Sequence, residues 1–147
     1  MLVNALFAVL LTAVTVILHG IYTYYLMTNH MKNIRRCHDK RHELAAGMNL
    51  LAGFVVGLLL IHFAEAMIWA CFYLLRETVP DFETALYFSL SSYTTIGYGD
   101  VILAKHVRLV GVVEGLVGTF MCGWSVALLV ALLHMVVPHN NTVDKKV

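Results

Sequence analysis

The sequence predicts an all-α membrane protein with three transmembrane helices and one short re-entrant helix per chain. Composition points there first: the 147 residues are 60% hydrophobic and only 13% charged, against roughly 45–50% apolar and about 25% charged in a soluble domain. Three apolar stretches each exceed the ~20 residues that a membrane span requires. A fourth segment, between the second and third stretches, is too short and too polar to cross. The net charge of +1 gives no electrostatic footprint for nucleic acid.

From Leu2 to Met31 there is no Asp, Glu, Lys or Arg, so a first span is placed at about Leu2–Met27. A signal peptide would want a basic start and a shorter apolar core. No basic residue precedes this run, and the segment reads as a true helix. The second apolar stretch, Leu44–Leu75, is interrupted by one acid, Glu65. At 1.5 Å per residue it would reach about 48 Å, more than the hydrocarbon core, so it must tilt or project. The third runs from about Val107 to Val137, with Arg108 at its start and Glu114 inside.

Orientation follows from basic residues near the span ends. The stretch between spans one and two holds Lys32, Arg35, Arg36, Lys40 and Arg41, and the tail holds Lys145 and Lys146. Between spans two and three, Arg76, Lys105 and Arg108 are offset by Glu77, Asp81, Glu83 and Asp100. The chain is therefore expected to be multi-pass in the cell (inner) membrane, with the amino terminus outside and the carboxyl terminus in the cytoplasm. The expected divisions are an additional N-terminal helix over 1–31, a basic cytoplasmic loop over 32–43, a pore domain over 44–137 and a cytoplasmic tail over 138–147.

Thr78–Lys105 must leave and rejoin the outer side. Within it, Pro80-Asp81 is a helix start signal, with Asp81 able to cap free amides and Glu83 suited to the positive end of the helix dipole. Phe82–Tyr93 is thus expected to be a short helix entering from outside, followed by an extended return. Non-helical backbone at membrane depth is tolerated only where protein or water covers it.

That return is Thr94-Thr95-Ile96-Gly97-Tyr98-Gly99-Asp100. Backbone carbonyls are neutral dipoles that can replace the water of a monovalent cation and still release it. Carbonyls that all point one way need residues tolerant of positive φ, which Gly97 and Gly99 supply. K+ would bind at Thr95, Ile96, Gly97 and Tyr98 and, with Gly99, define the filter. The side chains of Ile96 and Tyr98 would turn away from the ion, and Asp100 would concentrate cations at the mouth. One chain supplies one strand of carbonyls, so an ion must be enclosed by several copies about an axis.

TTIGYGD resembles the filter of tetrameric potassium channels, and TALYFSLSSY upstream is similar to the pore helix of bacterial two-span channels. EGLVGTFMCGWS is similar to a pore-lining inner helix. The resemblance covers about Leu44–Val137, and the extra first span makes the chain similar to a small bacterial three-span potassium channel of the tetrameric ion-channel family. It implies a homotetrameric pore and passive K+ conduction, with a weakly selective cation channel as the alternative. It also implies an aromatic cuff from Tyr87 and Phe88 around Tyr98, with Thr94, Asp100 and Ser91 beside the filter. Glu114, about 10 Å below the outer end of its span by helix rise, is expected to turn inward, because a carboxylate facing lipid is expensive. There it would brace the filter from behind through Ser89, Ser91, Ser92, Tyr93 or backbone amides; the alternative is a protonated, merely buried acid. Ser91 stands where some relatives carry a glutamate paired with the filter aspartate. Gly118 and Gly123 are candidate bending points in the inner helix, and His134 a candidate proton-sensitive group at the inner mouth.

The remaining residues read as structural. Glu65 is expected near the outer interface, and His19 at the depth of Asn49 with an interhelical hydrogen bond. Trp69, Tyr73 and Tyr22–Tyr25 fit interfacial belts. Cys37, Cys71 and Cys122 form no C-x-x-C pair, Cys122 being a small buried apolar residue. Neither of the first two spans carries the spaced arginines of a voltage sensor. Asn140-Asn141-Thr142 is a glycosylation sequon in form, inert on the cytoplasmic side. His, Cys and acidic residues look scattered over different depths. The expected partners are further copies of the chain and membrane lipid, with no soluble enzyme substrate, no catalytic residues and no cofactor beyond K+ as the bound and permeant ion.

Overall fold

The computed structural model describes residues 2–36 and 43–136. It contains four helices: α1 (Leu2–Arg36), α2 (Glu43–Leu75), α3 (Phe82–Tyr93) and α4 (Arg108–Val136). No strand occurs among the described residues. Leu2–Lys32, Gly47–Leu75 and Arg108–Met135 are long and apolar enough to cross a membrane, so the chain is an all-α membrane protein. The 12 residues of α3 rise only about 18 Å, too little to cross.

α1 is longer than the sequence suggests, passing Met27 and the first basic residues to end at Arg36. Lysine and arginine are good helix formers, so a helix need not stop where the apolar run does. The first part of the expected loop is therefore helical. Cys37, Lys40 and Arg41 lie outside the described residues, as do the tail, its sequon, Lys145 and Lys146.

α1 packs on both α2 and α4, while α3 is wedged between α2 and α4. The core holds Ala66, Trp69, Ala70, Tyr73, Ala85, Tyr93, Val107, Val110 and Met121. Trp69 and Tyr73 are fully buried, not in an interfacial belt. Trp69 Nε1 donates to Thr15 Oγ1 at 3.1 Å, which ties α2 to α1. At the end near the α2–α3 turn, Asn4 Nδ2 donates to the His106 carbonyl at 2.7 Å and Arg76 lies over the Phe7 ring. Leu59, Leu60, Leu109, Val112, Leu116 and Phe120 face outward, as suits helices surrounded by lipid or by other subunits.

Candidate ion-conduction site

The site starts from the cap of α3. Asp81 Oδ1 accepts from the Thr84 amide at 2.8 Å and Oδ2 from the Thr84 hydroxyl at 3.0 Å. These bonds hold its carboxyl below the usual aspartate range, as expected for a charged helix cap. The cap sets where α3 begins, and therefore where its other end delivers the chain.

At that other end the backbone changes hand at every second residue: φ is +62° at Thr95, +56° at Gly97 and +81° at Gly99. The amides of Thr95 and Gly97 donate to the carbonyls of Ser92 (3.0 Å) and Ser91 (3.1 Å). The Tyr98 amide reaches Ser91 Oγ at 3.4 Å. In a planar trans peptide the carbonyl points opposite to the following N–H. The carbonyls of Thr94, Ile96 and Gly97 therefore face away from α3, on one side of the segment. That row of oxygens is an arrangement suited to a dehydrated cation.

Thr95 adopts a left-handed conformation that the residue reading missed. A β-branched residue there is a clear outlier, costing ~1–2 kcal/mol. The alternation itself was the available signal, since positive φ at 97 and 99 continues the same two-residue step back to 95.

Ser91 meets the segment through both its carbonyl and its hydroxyl. The Tyr87 ring stacks on Tyr98 with centroids 6.3 Å apart and planes 10° apart. Its hydroxyl donates to Asp100 Oδ2 at 2.8 Å. That bond lowers the Asp100 carboxyl below its ordinary range. Phe88 turns the other way, edge-on to Tyr73 at 5.0 Å, so of the two expected cuff residues Tyr87 alone stacks on Tyr98 within one chain. Ile96 and Tyr98 remain largely exposed.

α4 lies behind α3. Glu114 is fully buried. It accepts from Tyr73 at 2.7 Å and bonds the Ser89 hydroxyl, which also lies 2.6 Å from the Ala66 carbonyl. Of the α3 groups expected as partners, Ser89 is the one used. Ser91, Ser92 and Tyr93 are not, and Tyr73 of α2 is the partner sequence did not suggest. Glu114 thus joins α2, α3 and α4. Glu114→Ala strands the buried Tyr73 hydroxyl, while Ser89 keeps the Ala66 carbonyl; the loss is about 1–3 kcal/mol per chain and lowers the unfolding temperature of purified protein. Glu114→Gln keeps an acceptor and costs less. Equal unfolding temperatures for both variants and wild type would refute this bracing role.

A Cβ at Gly118 would stand 2.8 Å from the Tyr93 carbonyl carbon and 3.0 Å from its ring, whereas one at Gly123 would meet nothing within 4 Å. Gly118 is therefore a packing residue between α4 and α3, and Gly123 is the freer of the two bending candidates. His134 is exposed near the end of α4, with Nδ1 2.8 Å from the Val130 carbonyl. Cys71 and Cys122 are free and exposed in the single chain, so Cys122 is not the buried residue expected.

His19 makes the expected interhelical hydrogen bond, but with Glu65, and Glu65 is fully buried rather than solvated at an interface. Neither is exposed, and His19 Nδ1 lies 3.0 Å from Glu65 Oε1, not beside Asn49. His19, His62 and Glu65 converge, with potential ligand atoms within 4.8 Å of one another. The groups that looked scattered in depth form a cluster.

A family model described as "Ion channel" matches residues 55–134, more than half of the chain. No curated protein and no solved structure gave a significant match. The matched region runs from α2 through α3 and the glycine-bearing segment to the end of α4, and the chain belongs to this two-transmembrane-helix ion channel family.

Proposed function

We propose that the chain is the subunit of a potassium-selective channel in which four copies surround one axis and Thr95–Gly99 lines the conduction path. The observation that carries this reading is the alternating backbone of Thr95, Gly97 and Gly99 at the end of a helix too short to span. It turns carbonyls, not side chains, to one side. Neutral carbonyl dipoles suit a large monovalent cation that must enter and leave quickly.

Two features of the single chain favour several copies. Among the described residues the filter segment has no backbone partner on its carbonyl side, and Ile96 and Tyr98 are 56% and 70% exposed, far more than packed filter side chains would be. Repetition about an axis gives each of them a neighbouring subunit through one interface used repeatedly. The same arrangement covers Val112, Leu116 and Thr119, which α4 leaves exposed beside Ser92 and Thr95. α4 directly follows the filter segment and is assigned to the wall of the pathway below it. The filter faces the outside and both basic segments lie in the cytoplasm.

The test is purified protein in liposomes. Native mass spectrometry should give four chains per particle. An outward K+ gradient should drive an ion flux that barium blocks and that Na+ in place of K+ does not support. Equal Na+ and K+ flux would favour a weakly selective cation channel. No flux from a confirmed tetramer would overturn the conduction reading.

A further inference from the structure

A second buried polar cluster lies outside the filter and draws on all four described helices. Glu65 and His62 come from α2, His19 from α1, Tyr93 from the last turn of α3 and Ser125 from α4. Taken in order, they close on themselves. Glu65 Oε1 meets His19 Nδ1 at 3.0 Å, and His19 Nε2 meets Ser125 Oγ at 3.3 Å. Ser125 Oγ meets His62 Nε2 at 2.9 Å, and His62 Nδ1 meets the Tyr93 hydroxyl at 3.0 Å. Tyr93 donates back to Glu65 Oε2.

Each of these five contacts needs one proton. With an ionised Glu65 and two neutral imidazoles, the histidines, Tyr93 and Ser125 supply one proton each, which leaves one contact empty. It also leaves a buried negative charge without a cation, because no Lys or Arg occurs in Leu2–Met31, Gly47–Leu75, Phe82–Tyr93 or Leu109–Val136. One added proton closes the ring and cancels the charge. It does so either as a carboxylic acid with neutral imidazoles or as a carboxylate with one imidazolium.

We propose that these five side chains form a proton-binding ring whose single shared proton positions the end of the pore helix behind the filter. Tyr93 is the point of coupling, since Thr94 and Thr95 follow it directly. Loss of the proton opens one contact of the ring and leaves the Glu65 charge uncompensated against the Tyr93 hydroxyl, which changes how that end of α3 is held. The ring also gives α1, which lies outside the matched region, a role: it supplies His19. The other titratable groups in electrostatic reach are Cys122 and Glu114 of α4. His62 also sits 3.5 Å from Glu65 Oε2, and the Trp124 ring stands edge-on to His19. A transition-metal ion on His19, His62 and Glu65 is the competing reading. It would have to displace hydrogen bonds that already occupy every one of those ligand atoms, so the proton is favoured.

Glu65→Gln is the decisive variant. Its amide supplies the missing proton permanently, so the ring closes without titrating. All proteins are compared in a His134→Gln background, which removes the other candidate proton sensor. The flux arm rests on the channel reading above; the unfolding arm does not. As pH rises and the ring loses its proton, K+ flux in the reference protein should fall on the order of tenfold. Its unfolding temperature should fall over the same step, because the folded state gives up a stabilising proton there. Glu65→Gln should show neither step and stay at the low-pH flux. Tyr93→Phe removes two contacts and one proton, so the three contacts left are filled without an added proton. It should lose the step in flux and keep in unfolding only the smaller part that comes from the buried carboxylate charge. An unchanged pH step in unfolding for Glu65→Gln would overturn the ring. An unchanged pH step in flux for Tyr93→Phe would overturn its coupling to the filter. If micromolar Zn2+, with pH held constant, alters unfolding of the reference protein but not of Glu65→Gln, the cluster is a metal site and the proton reading is wrong.

Discussion

Gly97→Ala is expected to abolish discrimination between K+ and Na+. The residue sits at φ +56° in the middle of the alternating segment. A side chain in that conformation costs ~1–2 kcal/mol, or a factor of about 5–30 in the population of the aligned backbone. In a tetramer the cost recurs in each subunit, so few assemblies keep a complete set of carbonyls. Nothing lies within 4 Å of a Cβ at this position in the single chain, so the effect comes from backbone preference and not from a clash. The protein should therefore fold and yet lose selectivity, as read from the K+/Na+ permeability ratio. A wild-type ratio would show that positive φ at 97 is not what aligns the oxygens.

The second large effect is structural. Gly118→Ala forces a methyl group to within 2.8 Å of the Tyr93 carbonyl carbon, which is backbone and cannot rotate aside. Overpacking of this kind costs about 1–3 kcal/mol. It acts on the residue that ends α3, belongs to the Glu65 cluster and precedes Thr94 and Thr95. The variant should show a lowered unfolding temperature and a reduced yield of assembled particles. Gly123→Ala, which meets nothing within 4 Å, should assemble as wild type and change only open probability. Equal assembly and stability of the two variants would remove Gly118 as the contact that sets the distance between α3 and α4.

What sequence revealed and what it hid divide along physical lines. The span positions followed from apolar run length, a property of each segment alone. α3 was legible to the residue, because Asp81 caps it through a bond to Thr84 three residues on. The positive φ of Gly97 and Gly99 was legible for the same local reason. The cluster of His19, His62, Glu65, Tyr93 and Ser125 was not. Its members lie up to 106 positions apart, and their meeting depends on how each helix is rotated about its axis. A helix apolar all round, as α2 is, carries no stripe from which to read that rotation. Trp69 and Tyr73 were misread for a related reason. Aromatics near a span end look like interfacial anchors until a third and fourth helix cover them. Glu114 shows the intermediate case: its depth and inward direction followed from the cost of a carboxylate in lipid, but its partner Tyr73 did not.

The measurement that bears most directly on potassium selectivity is the reversal potential of the purified protein in a planar bilayer, with K+ on one side and Na+ at equal concentration on the other. A filter of aligned carbonyls at Thr95–Gly99 predicts a reversal potential displaced strongly toward the K+ equilibrium value, and its collapse toward zero in Gly97→Ala. A wild-type reversal potential near zero would contradict the account.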